Sequence, residues 1–414
     1  MSIEWDVGAW KRNAGQVAPE YRVILAGDWT SKRGDERIVA HESGTVYGDV
    51  LPILQDADFR IVNLESPLSD SGAPIAKDGP NLRGRRDAVA GLTVVPFNVA
   101  CLANNHIMDF GAEALDDTLR ALHTCGIQTV GAGLSRSSAY SPLIVDLDGL
   151  RLGIVNFCVG EDGTAAIDEP GVFGWELGMV VKSIGELREC VDVVIVIAHA
   201  GREYVPVPPP YIQRVFRTLS ESGADVVVGH HPHVPQGIEV YKGVPLVYSL
   251  GNFVFFQKGG SVFRRYGFLL SLELTGGTVS GCSLVPYALK EEGSHQVTGR
   301  ECEWLYRELR IVSEILVDPQ RVREVWHAYI DSFGEAFWQH RNYRGVAAWL
   351  VARMKGDYVR VAATLRNRFL TPAHHHFMAD GLGRLGAGRL GESEAWAKEL
   401  VNRWRTLEHP DAEQ

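Results

Sequence analysis

Six short apolar, β-branched runs in the first 250 residues each stop at an ionisable or amide side chain. Asp28 follows residues 23–26, Glu65 follows 61–62, and Asn104-Asn105-His106 follow 94–103. His199 follows 193–198, Gly229-His230-His231-Pro232-His233 follow 226–228, and Gly251-Asn252 follow 247–249. Runs of this length and composition read as buried strands, here over 22–26, 59–62, 94–103, 191–198, 224–228 and 245–249. Between two of them Ala112, Leu115, Leu119 and Leu122 fall at helical spacing, and Gly126 stops the pattern. Alternating strands and helices imply βαβ units and a mostly parallel sheet. In such sheets the carboxyl ends of the strands form the ligand-binding edge. The chain therefore draws Asp, Glu, Asn and His from five or six distant places to one edge.

From 253 to 286 the texture changes. Residues 266–274, a Gly276-Gly277 turn and residues 279–285 read as an antiparallel hairpin closing the sheet. A polar stretch over 290–300 ends the strand-rich region, and helical periodicity takes over, as in Trp304, Leu305, Leu309, Val312 and Leu316. Six of the ten tryptophans lie beyond residue 300, so this tail packs against something. The expected organisation is an N-terminal extension (1–20), an α/β domain (21–295) and a helical C-terminal module (301–414).

Charge and targeting narrow the class. With 41 basic against 51 acidic residues, the net charge is −10, and no long run has one sign. That argues against a nucleic-acid partner and against a basic membrane-surface protein. The start, Met1-Ser2-Ile3-Glu4-Trp5-Asp6, has neither a basic nor an apolar segment, so no secretory signal is expected. The apolar run 193–198 is about a third of a membrane span. Six scattered cysteines without a CxxC pair read as reduced thiols. A cytoplasmic protein with no membrane partner is expected; its oligomeric state is open.

Carboxylate and imidazole ligands together suit Mn, Fe or Zn, and a carboxylate can bridge two ions. Two ions about 3.5–4 Å apart hold the attacking and leaving oxygens of an in-line displacement. A metal also lowers the pKa of bound water, supplying a nucleophile, and a protonated His beside the leaving oxygen completes a hydrolase. Each residue alone has a blander reading. Asp28 after a strand is most often a cap, and His199 is as readily a core histidine. His106 with Asp109 forms a surface pair at helical spacing. The histidines at 230, 231 and 233 are harder to dismiss, since at least two can face one point. It is the convergence that points to one or two divalent ions.

In order along the chain come Gly27-Asp28, Asn63-Leu64-Glu65-Ser66-Pro67-Leu68, Asn104 to Gly111, His199-Ala200-Gly201-Arg202-Glu203-Tyr204, Gly229 to Val234 and Tyr248 to Phe253. This series resembles the CapA family, the poly-γ-glutamate capsule synthesis group of the calcineurin-like metallophosphoesterase superfamily. The likeness covers about 20–290; the tail has no counterpart. It implies a four-layer αββα sandwich with a metal centre at the strand ends. By position, Asp28 and His233 are implied as ligands of a first metal, and Asn105 and His199 of a second with His231. Glu65 takes the bridging place. His106 resembles the acid that protonates the leaving group, with Asp109 orienting it. His230 is the additional histidine of the capsule group.

Two departures stand out. The superfamily's usual Asp-x-His reads Asp28-Trp29-Thr30 here, and Glu65 replaces the usual Asp. On the substrate side, Arg202, His230 and Arg83 are the candidates, with Arg85 and Arg86 weaker. A guanidinium suits carboxylate or phosphate bidentately. His374-His375-His376 read as structural or solvent-facing, within reach of the pocket. The expected function is hydrolysis of phosphate esters or a related anionic substrate. The alternatives are a factor in poly-γ-glutamate or related polymer synthesis, binding acidic polymer, and a hydrolase or transferase of amide bonds.

Overall fold

The computed structural model describes residues 3–4, 8–11, 19–31, 43–77, 79–159, 164–166, 169–256, 259–339, 351 and 358–406. Most of the expected 1–20 extension lies outside them.

Two mixed sheets carry the architecture. The first runs in the order β1 (Ala9–Lys11), β16 (Thr278–Lys290), β15 (Tyr266–Thr275), β2 (Tyr21–Trp29), β3 (Phe59–Leu64), β4 (Val99–Cys101) and β5 (Gln128–Val130). Two short strands join it: β14 (Asn252–Val254) beside β2 and β17 (Gly293–Gln296) on β16. The second runs β12 (Ile238–Tyr241), β13 (Val244–Val247), β11 (Val226–His230), β10 (Val193–His199), β8 (Leu150–Cys158) and β7 (Leu143–Leu147). Strands β2 to β5 are parallel, as are β13, β11, β10 and β8. A two-stranded pair, β6 (Ala132–Gly133) with β9 (Gly171–Val172), stands apart.

The period-two side-chain alternation of strands sorts the layers. Val23, Leu25, Phe59 and Ile61 join the second sheet in one core. Their neighbours Ile24, Ala26, Val62 and Ala100 pack instead with Leu54, Leu92, Leu115 and Leu122. Those leucines belong to α1 (Leu51–Gln55), α2 (Val89–Val94) and α3 (Gly111–Thr124). Strand β10 is buried along its whole length, as expected of a β-branched strand covered on both faces. Ala139 of α4 (Arg136–Tyr140) and buried residues of α5 (Leu177–Arg188) and α6 (Pro210–Glu221), among them Ile184 and Phe216, belong to the same core. The result is the αββα sandwich.

Three local expectations differ. Residues 94–103 are not one strand: Val94 ends α2, and pairing begins at Val99. Pro96 interrupts the run, because it lacks the N–H that a continuing helix or strand would use. The sheet is two mixed sheets, and β7–β8 is a hairpin turned by Asp148 and Gly149, both at positive φ (49° and 100°). The polar stretch after 290 contains β17. The hairpin β15–β16 forms as expected, with Gly276 and Gly277 at φ 56° and 70°, and β15 pairs antiparallel with β2.

Beyond 298 come α7 (Gly299–Leu316), α8 (Pro319–Asp331), α9 (Tyr358–Leu370), α10 (Pro372–Gly386) and α11 (Ala395–Thr406), with a short helical stretch after Gly334 between α8 and α9. Trp304, Val312, Trp326 and Trp404 share the core of the two sheets. Polar bonds fix α7 in place. Ser313 Oγ accepts from Ile238 N at 2.9 Å, Gln213 Nε2 donates to Leu316 O at 2.7 Å, and Tyr306 OH donates to Leu284 O at 2.8 Å. Trp404 stacks on Phe263 with ring centroids 3.7 Å apart. Among the described residues no helix is long and apolar enough to cross a membrane.

Candidate metal centre

Glu65, one residue past β3, is buried, and neither carboxylate oxygen has a hydrogen-bond partner. Around its Oε1 stand His199 Nε2 at 3.5 Å and His233 Nε2 at 3.6 Å. His199 is the last residue of β10; His231 and His233 lie in the turn after β11. One ligand atom each of Glu65, His231 and His233 lie within 4.8 Å of one another, and so do those of Asp28, Glu65 and His199. Glu65 belongs to both sets.

Electrostatics tests the fit. Burial raises the Glu65 pKa well above the ordinary carboxylate range, because no donor compensates its charge. Such a group is costly to ionise unless a cation meets it. His231 Nδ1 is likewise buried without a partner, and burial takes its pKa down to about 4. Burial, then the neighbouring His231, holds His199 well below its usual value. Neutral imidazoles are the form that ligates a metal. An orphaned carboxylate beside the neutral imidazoles of His199 and His231 fits a divalent ion; burial lowers the His233 pKa, but Glu65 and Asp28 outweigh it and hold it raised, so that ring would give up its proton to join them.

Asp28 is more fully engaged. Its Oδ1 accepts from Asn63 Nδ2 at 2.8 Å and His230 Nδ1 at 2.9 Å; its Oδ2 lies 3.3 Å from His233 Nδ1. Burial raises its pKa, but the bonds from His230 and His233 outweigh this and hold it well below the carboxylate range. His233 Nδ1 lies 2.8 Å from Asn252 Oδ1, a partner that directs the ring's other nitrogen toward Glu65. Asn105 Oδ1 lies 2.8 Å from His199 Nε2. Thr30, where the imidazole of the superfamily's first motif would stand, donates to Ser66 Oγ at 2.8 Å.

Beside this cluster, His106 Nδ1 lies 2.7 Å from Asp109 Oδ2, and Lys77 Nζ donates to Asp109 Oδ1 at 2.7 Å and to Asn105 O at 2.8 Å. All three side chains are buried. Burial, then the Lys77 charge, lowers the His106 pKa, against the pull of Asp109. A cavity of about 310 Å³ opens here, walled by Lys77, His106, His199, Glu203 and His231. The helical tail supplies its other side through Asn367, Thr371 and His374.

Arg202 lines this cavity. Its Nε donates to Tyr329 OH at 3.1 Å, and its guanidinium carbon sits 4.6 Å from the Phe377 ring centroid. Two of the substrate-side candidates lie off this cavity. His230 is buried against Asp28 and does not line the cavity, because it ends β11 behind that carboxylate. Arg83 also lies off the cavity, with its guanidinium over Phe110 at 4.2 Å and donating to Ser71 O at 3.3 Å. Arg85 pairs with Asp87 at an exposed position. His374 reaches the cavity, while His376 stacks on Tyr211 at 4.1 Å. Sequence reasoning missed Asn63, Lys77 and Glu203. Asn63 stood inside a quoted motif; Lys77 had no local signal.

Fold and site define an αββα protein with carboxylates and imidazoles gathered at its strand ends. Residues 22–257 match the family of bacterial capsule synthesis proteins, PGA_cap, and the chain belongs to that family. It is 33% identical to the PGA biosynthesis protein CapA of Bacillus subtilis over 238 residues, 56% of this chain and 63% of that protein, so it spans under two thirds of that relative. It is 28% identical to the capsule biosynthesis protein CapA of Bacillus anthracis over 319 residues, 72% of this chain and 77% of that one. A probable polyglutamine synthesis accessory protein of Mycobacterium tuberculosis is 28% identical, over 67% of this chain and 80% of its own. Among solved structures, the calcineurin-like phosphoesterase YfkN from Bacillus subtilis aligns with a TM-score of 0.40 and 14% identity, over 72% of this chain and 99% of that one.

Proposed function

We propose that this protein is a metal-dependent hydrolase of an anionic substrate, with His106 as proton donor to the leaving group. The observation that carries the reading is Glu65, a buried carboxylate without a hydrogen-bond partner, set among imidazoles beside an open cavity. Asp28, Glu65, His199, His231 and His233, with Asn105, are the residues that would hold one or two Mn, Fe or Zn ions. A bound ion supplies Lewis acidity and lowers the pKa of water. Asp109 holds His106 through Nδ1, which leaves Nε2 as the nitrogen that delivers a proton. Lys77 neutralises Asp109, and Arg202 offers its guanidinium to an anionic group in the cavity.

The names of the relatives favour a second reading of the substrate: an acidic polymer joined by amide bonds, in a capsule or poly-γ-glutamate pathway, in place of a phosphate ester. One experiment addresses both. Protein purified without chelator is assayed for metal content, then for release of phosphate from monoesters and diesters and for cleavage of γ-linked glutamate peptides. His106→Ala is expected to keep its metal and lose about 100-fold or more in turnover. Unchanged turnover in that variant, or no metal bound after Mn, Fe or Zn is added, overturns the reading.

A further inference from the structure

Glu203 is the one carboxylate among the described residues that wall the cavity at the metal centre. The other ionisable groups there have partners or belong to the ligand sets. Lys77 and His106 meet Asp109, His199 and His231 stand with Glu65, and Arg202 Nη1 lies 3.5 Å from His374 Nδ1. Glu203 is only partly exposed, yet among the described residues its carboxylate has neither a hydrogen bond nor an ion pair. Its chain neighbour Arg202 does not supply one, because that guanidinium turns to Tyr329 OH and the Phe377 ring. Glu203 also joins neither set of converging metal-ligand atoms. The backbone holds it in this place: Gly201 and Tyr204 on either side have φ values of 131° and 59°, and Tyr204 N donates to Pro232 O at 2.9 Å. A tyrosine at positive φ costs free energy that the surrounding contacts must offset.

A glutamate in a half-open cavity is ionised at neutral pH. Next to the place where an anionic substrate binds, its charge repels the ligand unless the same molecule brings a positive charge to it. We infer that Glu203 selects a zwitterionic substrate, one that carries a primary ammonium close to its anionic group. The anionic group faces the metal ligands, and the ammonium donates to the Glu203 carboxylate in a charge-assisted hydrogen bond. An analogue without the ammonium is rejected, since it leaves that carboxylate desolvated against a second negative charge. A cavity of about 310 Å³ suits a small molecule with the two groups a few atoms apart. This inference rests on the reading of the cavity as a hydrolase site, but it is tested by binding.

Phosphonates serve as probes because their carbon–phosphorus bond resists hydrolysis. 2-Aminoethylphosphonate and propylphosphonate, in which a methyl replaces the ammonium, are each titrated calorimetrically at pH 7 into the full chain loaded with Mn or Zn. The amino probe is expected to bind at least about tenfold tighter. Glu203→Gln, nearly isosteric and uncharged, is expected to lose that preference, with its metal content and thermal midpoint unchanged. Glu186→Gln, which removes an exposed charge on α5, is expected to keep it. Equal affinities in the parent protein, binding of neither probe, or a preference that survives in Glu203→Gln overturns the inference. So does a Glu203→Gln protein that loses turnover and keeps the preference, which would make Glu203 a base. Metal-dependent turnover of phosphate esters without the preference overturns the inference and leaves the hydrolase reading standing. The preference without any metal-dependent turnover does the reverse.

Discussion

Lys77 is the residue on which the acid group most depends. Its ammonium and the Asp109 carboxylate are both almost fully out of solvent, so removing one charge strands the other. Lys77→Met is expected to lower unfolding free energy by about 3 kcal/mol, read from urea midpoints. The double variant Lys77→Met/Asp109→Asn should recover part of that loss, since no buried charge is then unpaired. Equal stability of the single variant and the parent protein would show that the pair is not structurally coupled. None of this was legible beforehand. Lys77 lies 32 residues from Asp109 in a stretch without periodicity, and its burial depends on how the loops around His106 close. The clustering of Asp28, Glu65, His199, His231 and His233 was legible because each ends or closely follows a β-branched run, and the parallel topology of those strands brings their ends together. His230 shows the limit of that logic: position at a strand end does not say which side of the cluster a side chain occupies.

At the scale of elements, the strands with unbroken Val and Ile content were readable, and those of mixed polarity were not. Strand β7 reads Leu-Ile-Val-Asp-Leu and is only half-buried, so its apolar signal is diluted at an edge. The Asp148-Gly149 turn that makes it a hairpin was a usable sign. The tail helices were legible from their tryptophans, but not the surface they cover. Trp404 on α11 meets Phe263 in the segment before β15, tying the last helix to the first sheet's hairpin. Trp404→Ala is expected to cost about 3–5 kcal/mol, measured by chemical denaturation. A loss under ~1 kcal/mol would mean that α11 adds little to the core.

For the whole molecule, the site spans both sheets. Asp28 and Glu65 come from the first, His199, His231 and His233 from the second. An ion bound there fastens the two layers. Chelator-treated protein should therefore melt at lower temperature, and added Mn or Zn should raise the midpoint with concentration, a stabilisation of about 2.7 kcal/mol at 100-fold over Kd. The chelated protein should also be acid-sensitive. His106, His199 and His231 have folded pKa values below the unfolded value near 6.5, His231 at about 4. As pH falls below about 6.5 the unfolded chain takes up those protons first, and stability drops until about pH 4. The raised Glu65, Glu308 and His233 pKa values oppose this, His233 only until its unfolded imidazole is itself protonated, while His327 and His376, lowered by burial, add to the loss. A melting point that rises between pH 7 and 5 would contradict the balance.

The turn that carries two of these imidazoles has a further consequence for anyone altering the protein. His231 and His233 adopt φ values of 95° and 57°, where a side chain costs of order 1–3 kcal/mol that glycine avoids. Directed evolution scored only on the heat resistance of chelated protein will find glycine at 231, where the imidazole is not fully buried, and take it as an improvement. The survivors of such a campaign will be sturdier and blind to the ion.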